Sequence, residues 1–352
     1  MMERRRRPQI AVAAAVSVLA VAPAGAEPFG EIQKAVVFSE YTPLAGDAEI
    51  MRRILTPLTA ANQLEENERA GRGPPPDQAI DLSQEKFVVF VPSQKPAGGY
   101  ALMVFIPPWE NAEMPPRWAP ILDQYGVILV SMAKSGNAAD TANRRVPLAV
   151  LAAQNIIKRY PVDASRIYVA GLSGGSKVAM RVALAYPDLF RGAVLNAGSD
   201  PIGDAENAAP PRDLLYQFQT DSRLIYITGA NDDPNLTADA QSQSTMSEFC
   251  MFNIATQTLN GVGHELAPPS ALERALKTLS QPIRTDPGKL TACRAKMDGA
   301  LDAKFQKVEA LLTSGKRREA SAALDGIDRY YGGLAAPRST DLARTLSSKP
   351  NR

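Results

Sequence analysis

One stretch constrains this chain more than any other: Gly171-Leu-Ser-Gly-Gly175, set between a short apolar run and a segment of helical spacing. Arg166-Ile-Tyr-Val-Ala170 is β-branched and aromatic, the pattern of a buried strand. From Ser176 to Tyr186 apolar residues recur at Val178, Val182 and Ala185, near helical spacing, and Pro187 stops the helix. A strand that turns abruptly into a helix brings two backbones together beside the central serine. Glycine two positions to either side of Ser173 removes the Cβ atoms that would collide there. This is the Gly-x-Ser-x-Gly arrangement that exposes a serine hydroxyl above the edge of a sheet. Taken alone, the pattern also fits a glycine-rich connection with no chemistry, so the rest of the chain decides.

The elements around it restrict the fold. A first strand is expected at Ala35–Phe38, then a helix from Asp47 to Leu64 interrupted at Pro57. Residues 65–84, with Gly71, Gly73 and Pro74 to Pro76 among charges, read as an exposed connection. Glu85–Val91 and Tyr100–Ile106 are clear strands, expected to form a hairpin through Pro96–Gly99. Further strands follow at Gly126–Met132, Gly192–Asn196, Arg223–Thr228 and Met251–Thr258, with helices at Val146–Arg159 and Ser270–Leu279. An antiparallel opening followed by strand–helix alternation predicts an α/β fold, a mostly parallel sheet covered by helices. In such sheets the working residues lie on loops beyond the carboxyl ends of the strands.

The two ends differ from this body. Leu290, Cys293, Met297, Leu301, Phe305, Val308 and Leu312 recur every three or four residues, and after Gly315 a second set runs through Ala323, Leu324, Ile327 and Tyr331. A C-terminal helical hairpin is expected over 286–335, packed against the body because one such unit cannot stack alone. Residues 336–352 read as a disordered tail. Residues 1–26 carry the parts of a cleaved export signal: Arg4 to Arg7, the apolar run Ile10 to Val21, and Ala24-Gly25-Ala26. That run is short for a membrane span. The expected organisation is signal peptide 1–26, N-terminal strand, helix and linker 27–84, sheet domain 85–285, hairpin and tail. The mature protein would be periplasmic or secreted, without stable membrane insertion.

Composition excludes little but is useful at two points. A formal net charge of +2 gives no reason to expect nucleic acid. Cys250 and Cys293 make an even pair, a disulfide candidate in an exported chain. With one histidine they cannot supply an ordinary tetrahedral zinc site, so neither metal nor cofactor is expected.

A serine hydroxyl is a weak nucleophile and needs an adjacent general base, most often histidine. The chain has one histidine, His264, in Asn260-Gly-Val-Gly-His-Glu265 after the last strand. An acid that orients the imidazole is expected between serine and histidine in chain order. Gly229-Ala-Asn-Asp-Asp233 offers Asp232, with Asp233 as its competitor. Two aimed N–H groups are also needed for a developing oxyanion. Gly174 is one candidate. In the loop Pro107-Pro108-Trp109-Glu110 the prolines cannot donate, which leaves the Trp109 N–H, with its indole available to wall a pocket. Arg144 and Arg145 read as a solvated helix start rather than an anion site.

Together these stretches, with Tyr186-Pro-Asp-Leu-Phe-Arg-Gly-Ala193, resemble the α/β-hydrolase superfamily over about residues 85–280, in particular its secreted esterase and polyhydroxybutyrate-depolymerase-like branch. The resemblance implies a Ser173–His264–Asp232 triad that cleaves a small-molecule or polymeric carboxylic ester through an acyl-enzyme. Many relatives carry His-Gly where this chain has Pro107-Pro108, a departure at the oxyanion loop. Two alternatives remain open: a serine peptidase of prolyl-oligopeptidase type, and an inactive hydrolase-fold binding protein.

Overall fold

Side-chain alternation along the central strands explains the layering. A computed structural model of the chain describes residues 30, 32–73, 77–204 and 207–348; the expected export signal lies outside them. Strand β3 (Tyr100–Ile106) is buried along its whole length. Its Leu102, Val104 and Ile106 join one hydrophobic cluster, and Ala101, Met103 and Phe105 join another. A strand that is apolar on both sides needs cover on both sides, as in the interior of a parallel sheet.

The sheet has eight strands: β1 (Ile32–Val36), β2 (Phe87–Phe90), β3, β4 (Val127–Met132), β5 (Val162–Leu172), β6 (Gly192–Asn196), β7 (Arg223–Gly229) and β8 (Ile254–Leu259). Their order is β1-β2-β4-β3-β5-β6-β7-β8. Pairing is antiparallel for β1–β2 and β2–β4 and parallel elsewhere. The expected β2–β3 hairpin is therefore not formed. β4 lies between them, with Val89 opposite Val130 and Met103 opposite Leu129. Pro96–Gly99 turns the chain, but β3 finds two parallel neighbours that bury both of its edges, which a terminal hairpin would not provide.

One face is covered by α4 (Val146–Arg159) and α5 (Gly174–Ala185), the other by α3 (Ala119–Tyr125) and α8 (Pro269–Leu279). The expected N-terminal helix is two, α1 (Asp47–Ile54) and α2 (Pro57–Arg69). Pro57 starts the second, where its missing N–H costs nothing, and the Thr56 side chain caps it. Helices α6 (Arg212–Asp221) and α7 (Asp233–Glu248) complete the sheet domain.

Helices α9 (Pro287–Thr313) and α10 (Arg317–Tyr331) form the expected hairpin. Met297, Leu301, Phe305, Leu324 and Ile327 extend the core on the α4–α5 face. Asp328 of α10 accepts the Leu58 N–H, tying the hairpin to α2. Cys250 and Cys293 are joined by a disulfide that ties α9 to the chain before β8. The segment expected to be disordered from 336 is helical over Arg338–Ser347, here α11, because Leu342, Ala343 and Leu346 pack onto the same core.

Candidate active site

The carboxyl ends of β5, β6, β7 and β8 assemble the site. Ser173 stands between β5 and α5 with φ 55° and ψ −124°, a strained conformation for a non-glycine residue. The surrounding glycines make it possible. A Cβ on Gly171 would lie 2.3 Å from the Gly175 backbone, and one on Gly175 would lie 2.1 Å from Ile106 O. No smaller residue exists, so both contacts require glycine.

β7 leads into a turn closed by Asp232 N–H donating to Gly229 O. Gly229 packs against the carbonyls of Val262 and Gly263, and Asn231 N–H donates to Val262 O. These contacts set the His264 loop beside the Asp232 turn. His264 Nδ1 lies 2.7 Å from Asp232 Oδ2. A carboxylate only accepts, so Nδ1 carries the proton and Nε2 is left as the basic nitrogen. Asp233 begins α7 and is exposed, outside this pair.

Asn235, one turn along from Asp232, was not anticipated. Its Nδ2 lies 2.9 Å from both Asp232 oxygens and 3.0 Å from His264 Nδ1. Burial pushes the Asp232 pKa up, but hydrogen bonds from Asn235 and His264 outweigh it and hold the carboxyl below its ordinary range. The only available sequence signal was an amide three residues, about one helical turn, from the acid. A second buried carboxylate, Asp239, accepts hydrogen bonds from Ser199 and Thr228. Burial raises its pKa, opposed by those two hydroxyls.

The structure joins histidine to acid; among the described residues it forms no hydrogen bond from Ser173 Oγ to His264. The His264 side chain is 47% exposed. Such bonds are often long in substrate-free enzymes and tighten in the reacting complex.

The expected oxyanion donors are both free. Gly174 N is at the start of α5, Trp109 N is in the loop after β3, and among the described residues neither donates a hydrogen bond. The loop is held by its carbonyls instead: Pro107 O accepts from Arg145 Nη2 at 3.0 Å, Pro108 O from Asn137 N–H at 3.1 Å and Glu110 O from Lys134 N–H at 2.6 Å. Trp109 packs its ring beside Phe105 and is half-buried. Asn137 lies over Gly174, where a Cβ would meet its Oδ1 at 2.2 Å.

This corrects the reading of the two arginines. Arg145 is 3% exposed and serves the Pro107 carbonyl; burial and nearby Arg181 push its pKa down to about 10. Arg144 pairs with Glu85 at 2.6 Å. The helix start is thus buried at Arg145, under the loop after β3, and partly covered at Arg144, which is paired to Glu85.

The sheet order, right through the antiparallel edge, and the strained serine turn define an α/β-hydrolase fold. No protein-family model matches the chain. A poly(3-hydroxybutyrate) depolymerase of Ralstonia pickettii is 30% identical over 99 residues, 24% of this chain and 20% of the depolymerase, so the match spans about a fifth of that relative. Among solved structures, an esterase of Pyrobaculum calidifontis is similar at a TM-score of 0.43 and 14% identity, over 72% of this chain and 85% of that one. An acetyl xylan esterase from Aspergillus awamori is similar at 0.42 and 14%, over 56% and 95%. A puromycin-hydrolyzing peptidase of Mycobacterium tuberculosis gives 0.39 and 16%, over 57% and 39%.

Proposed function

We propose that the chain is an exported serine hydrolase that cleaves carboxylic esters through an acyl-enzyme. The observation that carries this reading is the His264–Asp232 pair at 2.7 Å, on loops at the same carboxyl edge of the sheet as a serine in a strained strand–helix turn. Ser173 Oγ attacks the ester carbonyl as His264 Nε2 takes its proton. Asp232 holds the imidazole in the required tautomer and supports its charge. The Gly174 and Trp109 N–H groups receive the oxyanion. His264 then returns the proton to the leaving alkoxide, and water repeats the sequence to release the acid and restore Ser173.

The local identity to a poly(3-hydroxybutyrate) depolymerase supports an ester as the scissile group, whether in a small molecule or a polymer. Export is supported by the pattern of residues 1–26 and by the Cys250–Cys293 disulfide. Among the described residues no helix is long and apolar enough to cross a membrane.

The test is hydrolysis of short-chain nitrophenyl esters by wild type, Ser173→Ala and His264→Ala. Turnover by wild type that falls by about 10⁴-fold or more in each variant supports the reading. A well-folded wild type that turns over none of these esters contradicts it.

A further inference from the structure

Asparagine is uncommon inside strands, and a buried amide without partners costs stability. Asn196 nevertheless ends β6 with only 2% exposure. Its partners account for it. Nδ2 donates to Ile227 O at 3.1 Å and to Glu265 O at 3.2 Å, and Oδ1 accepts from Ala267 N–H at 2.7 Å. Its own carbonyl accepts the Ser173 N–H at 2.9 Å. One residue thus touches the backbone of the nucleophile, of the strand leading to Asp232, and of the residue directly after His264.

We propose that Asn196 is a positioning residue that holds the His264 loop in register with the Ser173 turn; this rests on the hydrolase reading above. The loop is fixed before the histidine by Asn231 N–H on Val262 O, and after it by Asn196. Trp118 Nε1 on Ala267 O and Arg117 on Leu266 O secure the chain beyond. Among the described residues, Asn196 alone hydrogen-bonds both the Ser173 turn and Glu265. Few side chains of this size present two donors and an acceptor in one plane. Aspartate there would set a carboxylate against two carbonyl oxygens, and alanine would leave three backbone groups without this partner. The strain at the site makes such bracing necessary: Ser173 and Ala197, on either side of the shared hydrogen bond, both have positive φ, 55° and 49°.

The test compares Asn196→Ala and Asn196→Asp with Asn155→Ala. Asn155 is also a buried asparagine, 4% exposed, bonded to Glu40 and Leu151 remote from the site. Thermal midpoint, kcat, KM and the rate of labelling by a fluorophosphonate are measured for each. The proposal expects kcat and labelling rate to fall about 10- to 100-fold in the Asn196 variants, with KM within about twofold. Asn155→Ala is expected to lose thermal midpoint and keep the wild-type kcat. A folded Asn196 variant with wild-type kcat overturns the proposal, as does an equal loss of kcat in Asn155→Ala. Unfolding of both Asn196 variants while Asn155→Ala folds overturns it too, since the residue would then be structural. A wild type that neither labels nor turns over ester refutes the hydrolase reading and the positioning role with it. That outcome is separable from one in which wild type reacts and the variants match it.

Discussion

Asp232 Oδ2 lies 2.7 Å from His264 Nδ1, while Asp233, the next residue, starts α7 and remains exposed. The division follows from the turn. Gly229 O accepts the Asp232 N–H, which closes the loop and leaves Asp232 as the acid beside the imidazole.

The two acids are therefore expected to separate cleanly by mutation. Asp232→Asn should lower kcat by about 10³- to 10⁴-fold through loss of the tautomer and of charge support. Asp233→Asn should leave kcat within about twofold and cost a few tenths of a kcal/mol at the start of α7. Steady-state kinetics on a nitrophenyl ester, with thermal melts, distinguish them.

Arg145 separates stability from activity. It is a buried arginine that makes no salt bridge among the described residues, and it holds the loop after β3, which carries the proposed oxyanion donor Trp109, through Pro107 O. A buried charge without an ionic partner is costly to keep, and its removal is expected to offset the hydrogen bond lost at Pro107 O. Arg145→Met should thus keep the thermal midpoint or raise it, while kcat falls about 10-fold as the Trp109 N–H loses its fixed aim. A parallel loss of midpoint and kcat would assign Arg145 a structural role only.

Acid sensitivity is expected at the contact between α1 and the end of α5. Arg53, 5% exposed, binds Asp188 at 2.7 and 2.9 Å and Glu49 at 2.6 Å. Hydrogen bonds donated by Arg52 and then Arg53 hold the Glu49 pKa below the ordinary value of 4.5, against desolvation. A carboxyl whose folded pKa is depressed contributes stability above its unfolded pKa and loses it as pH falls through the folded pKa. Urea midpoints of wild type and Glu49→Gln should differ at pH 6 and converge as pH falls through the Glu49 pKa, which lies below 4.5.

The Cys250–Cys293 disulfide closes a separation of 43 residues remote from Ser173. Loop-closure entropy for that length gives about 4 kcal/mol of stabilisation. The double variant Cys250→Ser/Cys293→Ser should show that order of loss in urea unfolding, with kcat retained at temperatures where it remains folded.

What the sequence revealed depended on pattern strength. β6 and α4 were legible to the residue because Gly192–Asn196 is a short apolar run and Val146–Arg159 an uninterrupted helical one. α7 was not, since Asp233–Glu248 is rich in Asp, Ser, Thr and Gln and has no apolar stripe. The β2–β4 pairing was hidden for a different reason: strand order is a long-range choice, and the two apolar strands Phe87–Phe90 and Tyr100–Ile106 look alike to a local reading. In the site, Ser173, Asp232 and His264 stood out by motif and by the scarcity of histidine. Asn235, Asn196 and Arg145 did not, because their roles arise from hydrogen bonds between segments distant in sequence.

The most direct measurement is mass spectrometry of the chain after reaction with a fluorophosphonate, with peptide mapping of the adduct. The account predicts one adduct per chain, on the peptide containing Ser173, absent in Ser173→Ala and formed far more slowly in His264→Ala. No adduct on a folded wild type, or an adduct on another residue that persists in Ser173→Ala, would contradict it.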